Sequence, residues 1–216
     1  AISATHALPD ASILTMTEFL STASIMVDAC SIPIIADCDT GFGGPSNVSH
    51  LVKKYESAGI AAISIEDKIF PKQNSLLKDG KQELLSERDF VAKIIAAKNA
   101  KTNSYFMIIA RIEALIAGHG IKEAIKRATA YESAGADAIL IHSKKKIRLI
   151  GDKSLSRRDF SRITDPLKKF GARFNSTRKN KLPLSITGSE FIKPINYLEN
   201  KGSAQCKSSI MLAALN

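Results

Sequence analysis

Acidic side chains follow two short apolar runs of this chain, at positions where buried strands would end. Asp37 and Asp39 come directly after residues 32–36, and Glu66 comes after residues 60–65. A charged carboxylate beside a buried strand is unfavourable unless a cation or hydrogen-bond donors accompany it. A solvated turn would explain any one of these positions alone, but their recurrence indicates a functional site.

Two further apolar runs carry groups that bind anions. Residues 105–112 include Arg111 and are followed by Glu113, and residues 138–141 are followed by His142. Arginine and histidine side chains that face one place would bind an oxyanion, and phosphate suits both. Converging carboxylates would need a hard cation, and Mg²⁺ binds through one or two carboxylates and several waters.

Each of these residues also has a purely structural interpretation. Asp39 could be a turn residue, and Arg111 could be a structural partner of Glu113. His142 could be an ordinary histidine at a strand end. Four successive strands that each end in an ionisable group would rarely arise by chance, so their joint placement favours a functional site.

The elements expected to position these groups alternate between helix and strand. Apolar spacing and end signals predict four strands and four helices, near residues 15–29, 32–36, 46–57, 60–65, 86–99, 105–112, 121–133 and 138–141. Ser46 or Asn47 is expected to cap the second helix. Parallel βα units of this kind build a barrel or a doubly wound sheet, and both place ligands at the carboxyl ends of their strands.

A short internal repeat supports this arrangement. The sequence Tyr-Glu-Ser-Ala-Gly occurs at residues 55–59 and again at residues 131–135, each time just before an apolar run. Each copy predicts a helix end with a glycine cap, followed by a buried strand.

Composition narrows the possible classes of protein. The 216 residues favour a single domain over residues 1–216, and no run is long and apolar enough to predict a membrane span. The three cysteines lack metal-type spacing and predict reduced thiols, and no signal-peptide pattern opens the sequence, so a cytoplasmic protein is expected. The glycine-rich residues 41–44 fit neither a dinucleotide fingerprint nor a P-loop.

The last third of the chain differs in charge from the rest. Residues 144–216 hold 17 Lys and Arg against 5 Asp and Glu, whereas residues 1–143 hold 14 against 16. Such a segment could bind nucleic acid, but a solvated basic face is the expected interpretation because no RNA-binding or zinc-finger pattern accompanies it. Here a helix is expected over residues 154–170, a loop over 174–181, a strand over 182–188 and a last helix or strand–helix pair over 203–215.

Four motifs within residues 3–145 together resemble the phosphoenolpyruvate mutase/isocitrate lyase superfamily, and within it the mutase branch. They read Ala-Asp-Cys-Asp-Thr-Gly at 36–41, Glu-Asp-Lys-Ile-Phe-Pro-Lys-Gln-Asn-Ser at 66–75, Ala-Arg-Ile-Glu-Ala at 110–114 and Ala-Gly-Ala-Asp-Ala-Ile-Leu-Ile-His-Ser-Lys at 134–144. The second motif is typical of the mutases. The lyase branch instead carries a Lys-[Lys/Arg]-Cys-Gly-His loop, which this sequence lacks.

The resemblance implies an α/β barrel of the (β/α)8 TIM type that binds Mg²⁺ and interconverts phosphoenolpyruvate and phosphonopyruvate. It also implies a homo-oligomer. The residue roles that it implies are Asp37 as direct metal ligand, Asp39 and Glu66 on the metal's waters, Arg111 and His142 on the phosphoryl oxygens, Lys72, Asn74 and Ser75 on a gating loop, and Asp10 near the reacting group.

The resemblance leaves the exact reaction open, and the sequence departs from the family in two places. A related phosphonopyruvate hydrolase shares most of the site but typically has threonine at the position of Asn74, which favours the mutase. A carbon–carbon lyase activity and a catalytically incomplete barrel also fit the superfamily. The family's Ser-Gly-Leu segment does not precede Ala1, so the barrel is expected to be incomplete at its N-terminus, and residues beyond Lys146 diverge.

Overall fold

The structure is a computed structural model that describes residues 2–75, 77, 80–143, 147–151, 153–189 and 195–198. Its chain contacts divide it into two compact units, Ala1–His142 and Ser143–Asn216. The expectation of a single barrel domain over residues 1–216 stays a prediction.

The first unit alternates helices and parallel strands. Its elements are α1 (Ile2–Thr5), α2 (Met16–Ala29), β1 (Ile35–Asp37), α3 (Pro45–Ser57), β2 (Ala62–Glu66), α4 (Glu87–Ala100), β3 (Met107–Ile112), α5 (Gly120–Ala134) and β4 (Ala138–Ile141). The four strands form one sheet in the order β1-β2-β3-β4, and every neighbouring pair is parallel. This sheet confirms the predicted parallel α/β fold. The structure contains part of the barrel.

Local sequence signals fix most helix ends. Thr15 caps α2 in a capping box with Glu18, and Ser86 caps α4 by accepting the amide of Asp89. The predicted N-cap residue of α3 is wrong, because Gly44 occupies that position and Ser46 lies inside the first turn. Asn47 still contributes to the cap, since its Oδ1 atom accepts the amide of Gly44 at 3.1 Å. Pro45 explains the difference, because its fixed φ and missing N–H make it a favourable first helical residue.

The repeated motif supplies equivalent core residues. Tyr55 and Tyr131 lie at the ends of α3 and α5 and are both fully buried. Gly59 and Gly135 follow them with φ of 77° and 104°, which let the chain leave each helix in the left-handed conformation. The helices pack on the sheet through an apolar layer rich in isoleucine from β2 and β3.

The register of the sheet brings the polar strand ends together. Glu66 on β2 stands opposite Arg111 on β3, and Asp37 on β1 stands opposite Ser64 on β2. The amide of His142 continues this edge, since it donates to the carbonyl of Ile112 at 3.1 Å.

The second unit contains a small antiparallel sheet. Its described elements are β5 (Ile147–Leu149), a 3₁₀ turn (Leu155–Arg157), α6 (Ser161–Lys169), β6 (Arg173–Ser176) and β7 (Leu184–Thr187), with strand order β5-β7-β6. The loop predicted over residues 174–181 is therefore wrong in its first part, because β6 pairs with β7 there. The strand was not predicted because its sequence, Arg-Phe-Asn-Ser, is mostly polar. The helix or strand–helix pair predicted over residues 203–215 lies outside the described residues.

No helix among the described residues has both the length and the apolar character needed to cross a membrane.

Candidate active site

Arg111 connects the strand ends of the first unit. Its Nε atom lies 2.5 Å from Oε1 of Glu113 and 3.4 Å from Oε2 of Glu66, and its Nη1 atom lies 3.7 Å from Oδ2 of Asp37. Its Nη2 atom lies 2.8 Å from Nδ1 of His142. One guanidinium group therefore contacts the ends of all four parallel strands, and it brings together Asp37, Glu66 and His142 from the site residues predicted from sequence.

Glu113 is the acceptor around which Arg111 and His142 are arranged. Its side chain is fully buried, and Oε1 lies 2.8 Å from Nδ1 of His142 as well as next to Arg111. Nδ1 donates to Glu113 when it carries a proton and accepts from Arg111 when it does not. Burial acts to raise the pKa of Glu113, but the hydrogen bond from His142 and the charge of Arg111 outweigh it and hold the pKa well below its ordinary value.

Glu66 is the buried acid at the centre of the site. Burial raises its pKa to about 7, although the positive charges of Lys72 and Arg111 oppose that rise. Its Oε1 atom is buried and has no hydrogen-bond partner among the described residues. A buried oxygen without a protein partner is one that a bound water or metal ion would satisfy.

Lys72 lies among the carboxylates at the first strand end. Its Nζ atom lies 2.7 Å from Oδ1 of Asp39 and 3.0 Å from Oδ1 of Asp10. Burial acts to lower the pKa of Lys72, but the negative charges of Glu66 and Asp39 raise it above its ordinary value. Lys72 is therefore a permanently charged cation that holds its loop against this part of the site.

The loop that carries Lys72 makes further contacts with the site. Nδ2 of Asn74 donates to Oδ2 of Asp10 at 3.0 Å, and the amide of Lys72 donates to Oγ of Ser12 at 3.1 Å. Ser75 is buried and donates to Oε2 of Glu113 at 3.0 Å. The loop thus lies across the strand ends rather than away from them.

A second buried network lies behind the site and was missed by sequence reasoning. Oδ2 of Asp67 accepts from the hydroxyl of Tyr131 at 2.8 Å and from Nη1 of Arg127 at 3.0 Å. Oδ1 of Asp67 accepts the amide of Glu113 at 2.8 Å. Asp67 therefore fixes the backbone of Glu113, while its neighbour Glu66 faces the site. The alternation of side chains along a strand was the available signal.

Lys68 is the other contributor that sequence reasoning missed. Its ammonium group is almost fully buried, lies 3.6 Å from Oε2 of Glu113 and donates to Oγ of Ser75 at 2.5 Å. The available signal was a lysine directly after an acidic strand end, although a polar loop is the ordinary interpretation of such a sequence.

The predicted metal ligands are grouped only in part. Asp37 and Glu66 both border Arg111, whereas Asp39 is paired with Lys72. Within the described ranges, no group of three or more His, Cys, Asp or Glu side chains has the arrangement of a metal centre. Mg²⁺ needs only one or two carboxylates because it retains several waters, so the unpartnered oxygen of Glu66 and the nearby Asp37 fit this ion.

Comparison with known proteins decides the family. A protein-family model described as phosphoenolpyruvate phosphomutase matches residues 1–156, which is well over half of the chain. The chain belongs to this family. The resemblance inferred from four motifs is therefore confirmed.

Curated relatives of this phosphoenolpyruvate phosphomutase family member include two enzymes of different activity. A phosphonopyruvate hydrolase from Variovorax sp. (strain Pal2) is 53% identical over 145 residues, which are 67% of this chain and 50% of that protein. A phosphoenolpyruvate phosphomutase from Tetrahymena pyriformis is 51% identical over 145 residues, which are 67% of this chain and 48% of that protein. The chain spans about half the length of these relatives.

Solved structures give the same family. The crystal structure of phosphoenolpyruvate phosphomutase from Streptomyces platensis subsp. rosaceus is 57% identical, with a TM-score of 0.65 over 66% of this chain and 50% of that chain. Phosphonopyruvate hydrolase in complex with oxalate and Mg²⁺ is 50% identical, with a TM-score of 0.62 over 68% of this chain and 49% of that chain.

The basic part of the chain resembles another family. A model described as EPSP synthase (3-phosphoshikimate 1-carboxyvinyltransferase) matches residues 137–216. This match covers the segment in which the motifs of the first family are not recognisable.

Proposed function

We propose that the first unit carries the site of a Mg²⁺-dependent enzyme that interconverts phosphoenolpyruvate and phosphonopyruvate. The observation that carries this proposal is the loop: Asn74 and Lys72 both contact Asp10, and Lys72 also contacts Asp39. These contacts join the loop that carries the mutase-type motif to Asp10 and Asp39, and they support the proposal.

Arg111 and His142 would bind the phosphoryl oxygens. Both are held by Glu113, so the groups are oriented before substrate arrives. In the reaction the bond between phosphorus and the enol oxygen breaks, and a bond between phosphorus and the methylene carbon forms. A loose phosphoryl-transfer transition state depends on such positioning and on charge stabilisation.

Asp37 and Glu66 would hold the metal, with Asp39 supporting its waters. Bound Mg²⁺ supplies positive charge that stabilises the oxygens of the substrate. A direct check is the binding of Mn²⁺ followed by electron paramagnetic resonance. We expect Asp37→Ala to weaken Mn²⁺ binding at least about tenfold, since a carboxylate ligand is lost. Mn²⁺ binding as tight as that of the unaltered protein would contradict the assignment of Asp37.

The loop would keep water away from the transferred group. A metaphosphate-like species reacts readily with water, so a covering loop protects the transfer between oxygen and carbon. Asn74→Ala should leave the fold unchanged while turnover falls steeply. Loss of folded structure instead would indicate that the loop has a structural role only.

Phosphonopyruvate hydrolysis is the second candidate, because a hydrolase is among the relatives at 53% identity. Asn74 favours the mutase, and Nδ2 of this residue is directed to Asp10 in the structure. Phosphorus NMR of the protein with phosphonopyruvate and Mg²⁺ distinguishes the two. Phosphoenolpyruvate as product supports the mutase, inorganic phosphate with pyruvate supports the hydrolase, and absence of turnover supports a catalytically incomplete barrel.

A further inference from the structure

We propose that Glu113 and Lys68 couple the position of the loop to the orientation of the anion-binding pair, Arg111 and His142. This inference rests on the proposed function, because it assigns positioning roles to two residues beside that site. It names Glu113 and Lys68 as positioning residues, acting through Ser75 on one side and through Arg111 on the other.

The two carboxylate oxygens of Glu113 make separate contacts, one with the anion-binding pair and the other with Ser75 and Lys68. Oε1 lies 2.5 Å from Nε of Arg111 and 2.8 Å from Nδ1 of His142. Oε2 accepts the hydroxyl of Ser75 at 3.0 Å and lies 3.6 Å from Nζ of Lys68. One rigid, fully buried carboxylate therefore contacts both the loop and the groups that would bind the phosphoryl oxygens.

Lys68 fastens the loop at two points. Its Nζ atom donates to the carbonyl oxygen of Gln73 at 3.0 Å and to Oγ of Ser75 at 2.5 Å. Its backbone is held elsewhere, since residue 68 forms a β-bridge with Leu84. The backbone of Lys68 is thus held by Leu84, and the hydrogen-bond partners of its side chain belong to the loop.

Burial makes these contacts interdependent. Only 2% of the Lys68 side chain is exposed, and Glu113 is fully buried. If the loop moved away, Lys68 would lose Gln73 and Ser75, and a buried charge with fewer partners is strongly unfavourable. An anion bound to Arg111 and His142 would compete with Glu113 for the hydrogen bonds of these two side chains. That competition would change how strongly Glu113 accepts the hydroxyl of Ser75. Coupling of this kind is reciprocal.

Hydrogen exchange of the loop tests the coupling without turnover. The amides of residues 69, 70 and 72–75 are followed by mass spectrometry with and without inorganic phosphate in the presence of Mg²⁺. In the unaltered protein we expect phosphate to slow this exchange. In Lys68→Met we expect the exchange to be about tenfold faster, and phosphate to protect it no longer, because charged hydrogen bonds to the loop are lost.

Two further variants keep the test decisive. Ser75→Ala removes only the hydroxyl and should abolish the phosphate effect even if Lys68→Met fails to fold, whereas Ser75→Thr keeps a hydroxyl and should restore it. Lys101→Met is the matched control, because Nζ of Lys101 binds Asp137 and the carbonyl of Phe106 instead of the loop. It should leave loop exchange unchanged.

Unchanged loop exchange and unchanged phosphate protection in both Lys68→Met and Ser75→Ala would overturn the proposal. This hydrogen-exchange test does not depend on which reaction the protein catalyses. If phosphorus NMR shows no mutase product but phosphate still protects the loop through Lys68 and Ser75, the proposed function fails and the coupling stands.

Discussion

Nζ of Lys72 lies 2.7 Å from Oδ1 of Asp39, which makes this ion pair the shortest charged contact between the loop and the strand ends among the described residues. Asp39 is 3% exposed and Lys72 is 8% exposed, so water screens the pair little. The same ammonium group reaches Asp10, which also binds Asn74. The loop is therefore fixed to the site by a buried charge.

Lys72→Met tests that attachment. The variant keeps the length and apolar stem of the side chain but removes its charge, so we expect turnover to fall about 100-fold or more while the fold is retained. Steady-state kinetics and circular dichroism measure the two effects. Lys126→Met is the control, because Lys126 pairs with Glu87 on the surface and should change turnover less than about twofold. Equal turnover in both variants would rule out a functional role for the ion pair.

The raised pKa of Glu66 predicts how stability changes with pH. The pKa is about 7 in the folded protein against an ordinary value of 4.5, so the folded state binds the extra proton and loses stability as pH rises through this window. Glu66→Gln has no charge to bury. The free energy of unfolding of Glu66→Gln minus that of the unaltered protein should therefore increase from pH 5 to pH 8 by roughly 1 to 3 kcal/mol.

Urea unfolding at the two pH values, with a chelator present, measures this difference. A constant difference between Glu66→Gln and the unaltered protein would contradict the raised pKa. The opposite trend would show that Glu66 is stabilised in its charged form.

Gly41 and Gly44 provide a matched pair in the loop after β1. Gly41 has φ of +87°, and a Cβ atom there would lie 2.6 Å from Cγ2 of the buried Val48. Gly41→Ala should cost about 2 kcal/mol or more of stability, since strain and overlap add. Gly44 has open space around it and a negative φ, so Gly44→Ala should cost less than about 1 kcal/mol. Thermal unfolding ranks the two variants, and equal midpoints would show that the loop adapts.

Tyr131 tests the network behind the site. Its hydroxyl donates to Asp67 and accepts from Arg127, so Tyr131→Phe leaves buried charged groups with one partner fewer. We expect a loss of about 1 to 3 kcal/mol in unfolding free energy. Tyr105→Phe is the control, because Tyr105 is 86% exposed and should change stability by less than about 0.5 kcal/mol. A loss no greater than that of the control would mean that water replaces the hydroxyl.

Much of the first unit could be predicted because its local signals agree. Thr15 and Ser86 cap helices where polar residues precede apolar spacing, and β4 occupies residues 138–141 as expected. The side chains at four strand ends could be grouped in advance, since parallel strands share one carboxyl edge. The contacts of Arg111 show the result of that shared edge.

The contacts that organise the site could not be predicted, because they join residues far apart in sequence. Asp67 and Tyr131 meet across 64 positions, and Ser75 and Glu113 across 38 positions. Periodicity shows that such residues are buried or polar but does not identify their partners. In the second unit, β6 was missed because its pairing with β7 depends on the sheet rather than on its own polar sequence.

In the proposed reaction the phosphoryl group moves between oxygen and carbon without meeting water. Phosphorus NMR of phosphonopyruvate incubated with the protein and Mg²⁺ in ¹⁸O-enriched water tests it most directly. Phosphoenolpyruvate should form with no ¹⁸O among its three non-bridging phosphoryl oxygens. Its bridging enol oxygen is left out of the comparison, because it derives from the ketone oxygen of phosphonopyruvate, which exchanges with water. Inorganic phosphate carrying ¹⁸O as the product would contradict the claim and identify the site as that of a hydrolase.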